Sequence, residues 1–195
     1  MRLFQFSLAA AAALGLSACF TPPPDNLAGD QPPPVVDQVD LDRYLGRWFE
    51  IARYDMAFER GCDGVTANYA RREDGLIEVI NTCRKGGLDG ELEVAEGRAR
   101  VVDGSNGAKL KVSFFGPFWA DYWVLELSED YDWAVVGGPE GRYLWILSRT
   151  PQMDEAVLDA RLERLRRLGY DTSELIYPDQ WESVEAAPDD AAEAG

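Results

Sequence analysis

Val65-Thr66-Ala67-Asn68-Tyr69-Ala70-Arg71-Arg72-Glu73-Asp74-Gly75-Leu76-Ile77-Glu78-Val79 reads as a strand, a tight turn and a returning strand. Val65, Ala67 and Tyr69 alternate with Thr66, Asn68 and Ala70, the period of two that sends neighbouring side chains to opposite faces of a sheet. Glu73-Asp74-Gly75 supplies the reversal, its glycine suited to the positive φ that a hairpin turn requires. Ile77 and Val79 lead the return towards Asn81 and Cys83. The pattern recurs on both sides. Leu110, Val112 and Phe114 alternate with Lys109, Lys111 and Ser113, and further strands fit 47–54, 92–102, 121–128, 132–137 and 142–149, eight strands in all. One helix follows, from about Met153 to Leu168. Thr150-Pro151 opens it, with the proline in the first turn, and Gly169 closes it. Leu158, Leu162 and Leu165 form its apolar stripe, with Arg161, Arg164, Arg166 and Arg167 mostly on the solvated side. The fold class is therefore all-β: eight sequential antiparallel strands close into an up-and-down barrel, with the helix packed outside. A barrel of that size holds one small ligand. On strand counts alone a two-sheet sandwich is the alternative.

The chain of 195 residues fits one domain with extensions, and its 46% apolar and 11% aromatic content supports a packed core. Its formal net charge of −16 excludes the clustered cations of a nucleic-acid binder. The same charge argues against adsorption to anionic membranes by electrostatics, so attachment to a membrane would have to be covalent or hydrophobic. The absence of histidine removes Ser-His-Asp and Cys-His catalysis and His-ligated zinc or haem. No cofactor or metal is expected.

Residues 1–18 read as a signal segment, with Arg2 as the positive start and an apolar stretch from Leu3 to Leu16 that is short of the roughly 20 residues a transmembrane helix needs. It ends in Leu16-Ser17-Ala18-Cys19, which resembles a bacterial lipobox; that resemblance makes Cys19 the lipidated first residue of the mature chain, with palmitate among its acyl groups. Phe20, where an aspartate would signal inner-membrane retention, favours the outer membrane, with the domain facing the periplasm. Residues 19–40 carry Pro22-Pro23-Pro24 and Pro32-Pro33-Pro34 and read as a semi-rigid linker. Residues 41–180 form the folded domain. Residues 181–195, acidic and alanine-rich, read as a disordered tail whose Asp189-Asp190 pair is solvated.

Two further blocks make the reading specific. Tyr44-Leu45-Gly46-Arg47-Trp48-Phe49-Glu50-Ile51-Ala52-Arg53 resembles the first lipocalin signature, a Gly-x-Trp that opens the first strand, and Tyr143-Leu144-Trp145-Ile146-Leu147-Ser148-Arg149-Thr150-Pro151 resembles the third. Lys111-Val112-Ser113-Phe114-Phe115-Gly116-Pro117-Phe118 is similar to the bacterial outer-membrane lipoprotein branch, which is apolipoprotein D-like. The second signature departs from the family pattern, with Ser128-Glu129-Asp130-Tyr131-Asp132 lacking the usual threonine. The resemblance implies a carrier, not an enzyme, of a fatty acid or lysophospholipid stored or moved within the cell envelope.

If the strands alternate in direction, Gly46, Trp48, the Glu129–Asp132 loop and Arg149 share one end of the barrel, where Arg149 over the Trp48 ring would form a structural plug worth about 0.5–2 kcal/mol. Contact with ligand is the other reading of that pair. The longer connections Asp55–Gly61, Arg84–Glu91, Phe115–Ala120 and Gly137–Arg142 ring the opposite mouth. Cys62 and Cys83 flank it and in an exported protein are expected to pair, with free thiols as the alternative. Expected ligand-lining residues are Val65, Ala67, Tyr69, Val79, Val112, Phe114, Trp123 and Trp145, of which the resemblance singles out Tyr69 and Trp145. At the mouth, Arg60, Arg84, Lys85 and Arg142 are possible receptors for an anionic headgroup, with Arg84-Lys85 the favoured spot. Glu50 is the one carboxylate placed to titrate abnormally in the interior, although a hydrogen-bonded strand carboxylate is the plainer reading. The competing functions are a structural or adaptor envelope lipoprotein with a filled barrel, and a carrier of a pigment or retinoid-like ligand.

Overall fold

A computed structural model describes residues 31–191. The signal segment, Cys19, most of the linker and residues 192–195 lie outside them. Among the described residues, β1 (Gly46–Tyr54), β2 (Cys62–Arg71), β3 (Ile77–Lys85), β4 (Glu91–Val101), β5 (Lys109–Ser113), β6 (Ala120–Leu127), β7 (Trp133–Gly137) and β8 (Leu144–Ser148) are each antiparallel to the next. β1 pairs with both β2 and β8, so the eight strands close on themselves. A two-residue β9 (Leu175–Ile176) adds to the end of β1. The barrel is the one expected, not a sandwich.

Three register shifts break the period of two, one of them in β2 between Asp63 and Thr66. Between Glu50 and Ala52 the β1–β8 register slips, so Glu50 and Arg53, three apart, both turn inward, whereas a regular strand would put them on opposite faces. Another bulge, between Val124 and Glu126, turns the adjacent Leu125 and Glu126 both outward, Leu125 into the helix-side cluster and Glu126 to Arg161, while Val124 and Leu127 face the interior.

The outward face of β1, β6, β7 and β8 is apolar because α2 (Glu155–Arg167) lies on it: Leu162 and Leu165 bury against Ala52, Leu125, Val135, Leu144 and Ile146. Its start differs from the expectation. Asp154 is the cap, accepting from the amides of Ala156 and Val157, so Pro151 precedes the helix. Asp40 caps a single further turn, α1 (Leu41–Tyr44), which closes the barrel floor.

Packing extends beyond both expected limits of the domain. The linker's end already belongs to the fold: the Val36 amide bonds the Val124 carbonyl at 3.1 Å and Val39 is 5% exposed in the core. Residues 181–191 are no solvated tail. The chain from Asp179 runs outside β1–β3, with the Gly64 amide on the Asp179 carbonyl, Gln180 donating to the carbonyls of Glu50 and Val65, and Arg47 donating to that of Pro188. Asp190, buried, pairs with Arg84. The physical reason is that the outer wall presents Phe49, Thr66 and Thr82, all buried, and cations that an acidic segment satisfies. The Trp181 ring occupies the space above Gly64, whose φ of +57° and missing Cβ allow it; a Cβ there would stand 2.3 Å from the ring.

Candidate functional site

The inward-facing side chains form three levels. At the floor, Trp48 is fully buried and Arg149 stacks over it at 3.8 Å. Arg149 also donates to the carbonyls of Arg43, Tyr44, Leu45, Arg47 and Tyr131 at 2.7–3.3 Å, which ties α1, β1 and the β6–β7 loop together. Gly46, beside the guanidinium, adopts a φ of +86° that favours glycine. Above the plug, the hydroxyl of Tyr122 lies 2.8 Å from that of Tyr44 and 3.0 Å from that of Tyr69. Burial pushes all three phenols up, Tyr69 to about 12, so they stay neutral. Among them is an apolar cavity of about 10 Å³, room for one water. The floor is filled, and a ligand would sit higher.

At mid-height the wall opens. Val79, Val124 and Val136 are buried, but the inward-facing Ala67, Val112, Phe114 and Trp145 keep partial exposure and Ala95 on β4 is exposed. β4 is eleven residues long, and only Arg98–Val101 pairs with β5. The first half of β4 therefore has no strand partner on that side.

Nearest the mouth is a polar group that period-two reasoning missed apart from Glu50. Arg53 donates to Glu50 Oε1 at 2.9 Å and to the Glu59 carbonyl at 2.7 Å, and its Nε stands 3.5 Å from Glu59 Oε2. Trp145 Nε1 donates to the same Oε2 at 3.3 Å. Burial, then the neighbouring Glu59, push the Glu50 carboxyl up to about 8; burial also raises Glu59, against the pull of Arg53. The signal that would have found Arg53 is a bulge, which no residue type announces, and Glu59 lies in the loop after β1, where strand alternation gives no signal.

Of the expected lining, Ala67, Tyr69, Val79, Val112, Phe114 and Trp145 gather with the interior core. Val65 lies apart, at the mouth against Cys62 and Cys83, which are joined in a disulfide. Trp123 is a correction: it pairs with Lys109 on the outer face, under the Lys109 ammonium at 3.7 Å and beside the helix-side cluster. The rim cations are also engaged. Arg60 pairs with Asp55, Arg84 with Asp190, Lys85 with Glu93 and the Arg60 carbonyl, and Arg142 with Glu140. Arg84-Lys85 is thus no open anion receptor, because the segment taken for a solvated tail covers Arg84. What the rim does expose is Phe58, Phe115 and Phe118, at 63%, 81% and 76%. Cys62, Cys83 and Glu93 approach one another as metal ligands would, but the sulfurs are bonded to each other.

A family model described as a lipocalin-like domain matches residues 39–180. The outer membrane lipoprotein Blc of Vibrio cholerae is 48% identical over 148 residues, covering 74% of this chain and 85% of that protein. Its counterpart in Escherichia coli is 43% identical over 181 residues, covering 92% and 98%. Among solved structures, insecticyanin from the tobacco hornworm superposes with a TM-score of 0.63 at 23% identity, covering 84% of this chain and 90% of that one, a likeness of fold.

Proposed function

The chain belongs to the lipocalin family, and from that premise we propose that it binds a small apolar ligand, a fatty acid or lysophospholipid, and stores or moves it in a bacterial envelope without catalysis. The observation that carries this reading is the incompletely covered interior: Ala67, Val112, Phe114 and Trp145 point inward yet stay partly exposed, while Trp48 at the floor is fully buried. Apolar surface held open in this way gains roughly 25 cal/mol per Å² when a hydrocarbon chain covers it, with a few polar groups fixing orientation. The lipobox at Cys19 and the relatives named outer membrane lipoproteins support a lipid anchor in the outer membrane. A domain facing the periplasm fits the disulfide.

The test is native mass spectrometry of the full chain carrying Cys19→Ser, delipidated and offered lysophospholipids, fatty acids and retinoids. A one-to-one adduct with a lipid class is expected. The competing adaptor reading draws on the exposed Phe58, Phe115 and Phe118; a folded chain that takes up none of these compounds would favour it, and a retinoid-only adduct would favour the pigment-type carrier.

A further inference from the structure

We propose that the chamber receives the polar end of its ligand as a hydrogen-bond donor of the amine or ammonium class, against Glu50 and Glu59, and disfavours a free carboxylate there. This rests on the carrier reading and specifies its headgroup.

Glu50, Arg53 and Glu59 are 3%, 2% and 9% exposed, so two carboxylates share one guanidinium away from water. Arg53 is largely committed. Its two terminal nitrogens hold Glu50 Oε1 and the Glu59 carbonyl. Trp145 supplies the other donor, to Glu59 Oε2. Arg53 and Trp145 thus reach one oxygen of each carboxylate, Glu50 Oε1 and Glu59 Oε2. On β3, two residues beyond the inward-facing Val79, Asn81 Oδ1 is buried without a partner. Acceptors outnumber donors on this wall.

A buried charge without a partner is costly enough that the group neutralises instead. With both carboxylates ionised the Glu50–Arg53–Glu59 cluster carries one negative charge in excess, which the pull of Lys85 on Glu59 offsets only in part because Lys85 is committed to Glu93 and the Arg60 carbonyl, so in the empty chamber one carboxylate keeps a proton. An ammonium brings the missing positive charge and up to three donors at once. A carboxylate would add a second unpaired negative charge beside two acidic side chains. Trp145, half-buried and stacked on Tyr143 with ring centroids 5.8 Å apart, places an aromatic surface next to the site, which also favours a cation. The one donor that could oppose this preference is Arg53 Nε, buried and without a hydrogen-bond acceptor.

Three probes that share one hydrocarbon chain separate these cases: dodecylamine, dodecanol and dodecanoate. They are titrated near neutral pH into the full chain carrying Cys19→Ser, with tryptophan fluorescence as the readout, and again into the same chain carrying Glu50→Gln or Glu59→Gln. Dodecanol should bind, and dodecylamine should bind at least about tenfold tighter than dodecanoate. In at least one glutamine variant that ratio should shrink by about the same factor. Dodecanoate binding as tightly as dodecylamine, or a ratio unmoved in both variants, would overturn the proposal and assign the headgroup to Arg53. If a variant does not fold, judged by its thermal transition, the ratio in the parent chain decides alone. Failure of all three probes with a folded parent chain would overturn the carrier reading together with this inference.

Discussion

Arg149 does at one residue what a loop would otherwise need several to do. Its five backbone contacts and its stack on Trp48 leave carbonyls of α1 and β1 unsatisfied if it is removed. Arg149→Ala should therefore cost about 2–4 kcal/mol of stability, read as a lower urea midpoint; an unchanged midpoint would show that water replaces the guanidinium. Glu50 gives a pH test. Its folded-state value near 8 lies above the ordinary 4.5, so the stabilisation from its proton is complete below about 4.5 and lost as pH rises to about 8. The parent chain should lose stability relative to Glu50→Gln across that window, and a constant difference would mean that Glu50 is ionised throughout. These residues differ in how they could be read. Trp48 and Arg149 are legible because a motif and strand alternation put them at one end. Arg53 is not, because a one-residue slip in β1 inverts the face that alternation assigns, and Glu59 is not, because it lies in the β1–β2 connection, where alternation assigns no face.

At the scale of elements, the strands were legible wherever apolar and polar residues alternate, and β5 and its partners fall where expected. Legibility failed where an element's partner is remote in sequence. Trp123 has the period of an interior residue only if the bulge in β6 is ignored. Composition makes 181–191 look unfolded, since alanine and acid cannot build a core alone; they need only lie on one. Deleting residues 181–195 should uncover Phe49, Thr66 and Thr82 and strand Arg84 without Asp190. The loss of Trp181 packing alone should cost about 2 kcal/mol, and proteolysis near β2 should quicken. Retention of the full thermal transition by the shortened chain would return the segment to the status of a tail. The Cys62–Cys83 bridge spans 21 residues and should contribute about 3 kcal/mol by chain entropy. Calorimetry of the Cys62→Ser/Cys83→Ser chain measures it, and a loss well under 1 kcal/mol would mean that the hairpin orders its own unfolded state.

For the molecule as a whole, the two ends of the barrel have opposite characters. One is sealed by α1, Trp48, Arg149 and three tyrosine hydroxyls; the other is ringed by loops that expose phenylalanine. A net charge of −16 keeps such molecules apart in solution, while Glu50 and Glu59 are gathered around Arg53 in the interior. The closure that makes this vessel also sets its timing. β1 is hydrogen-bonded to β8, nearly a hundred residues later in the chain, and no earlier strand can take that place. Contacts so distant in sequence form slowly and late. Until residues 144–148 have emerged, the first strand keeps a free edge and the wall stays open. Under the outer-membrane anchoring proposed above, this delay would be useful: the chain would remain a thread while it passed through a pore, and become a container only once nearly all of it had arrived on the far side.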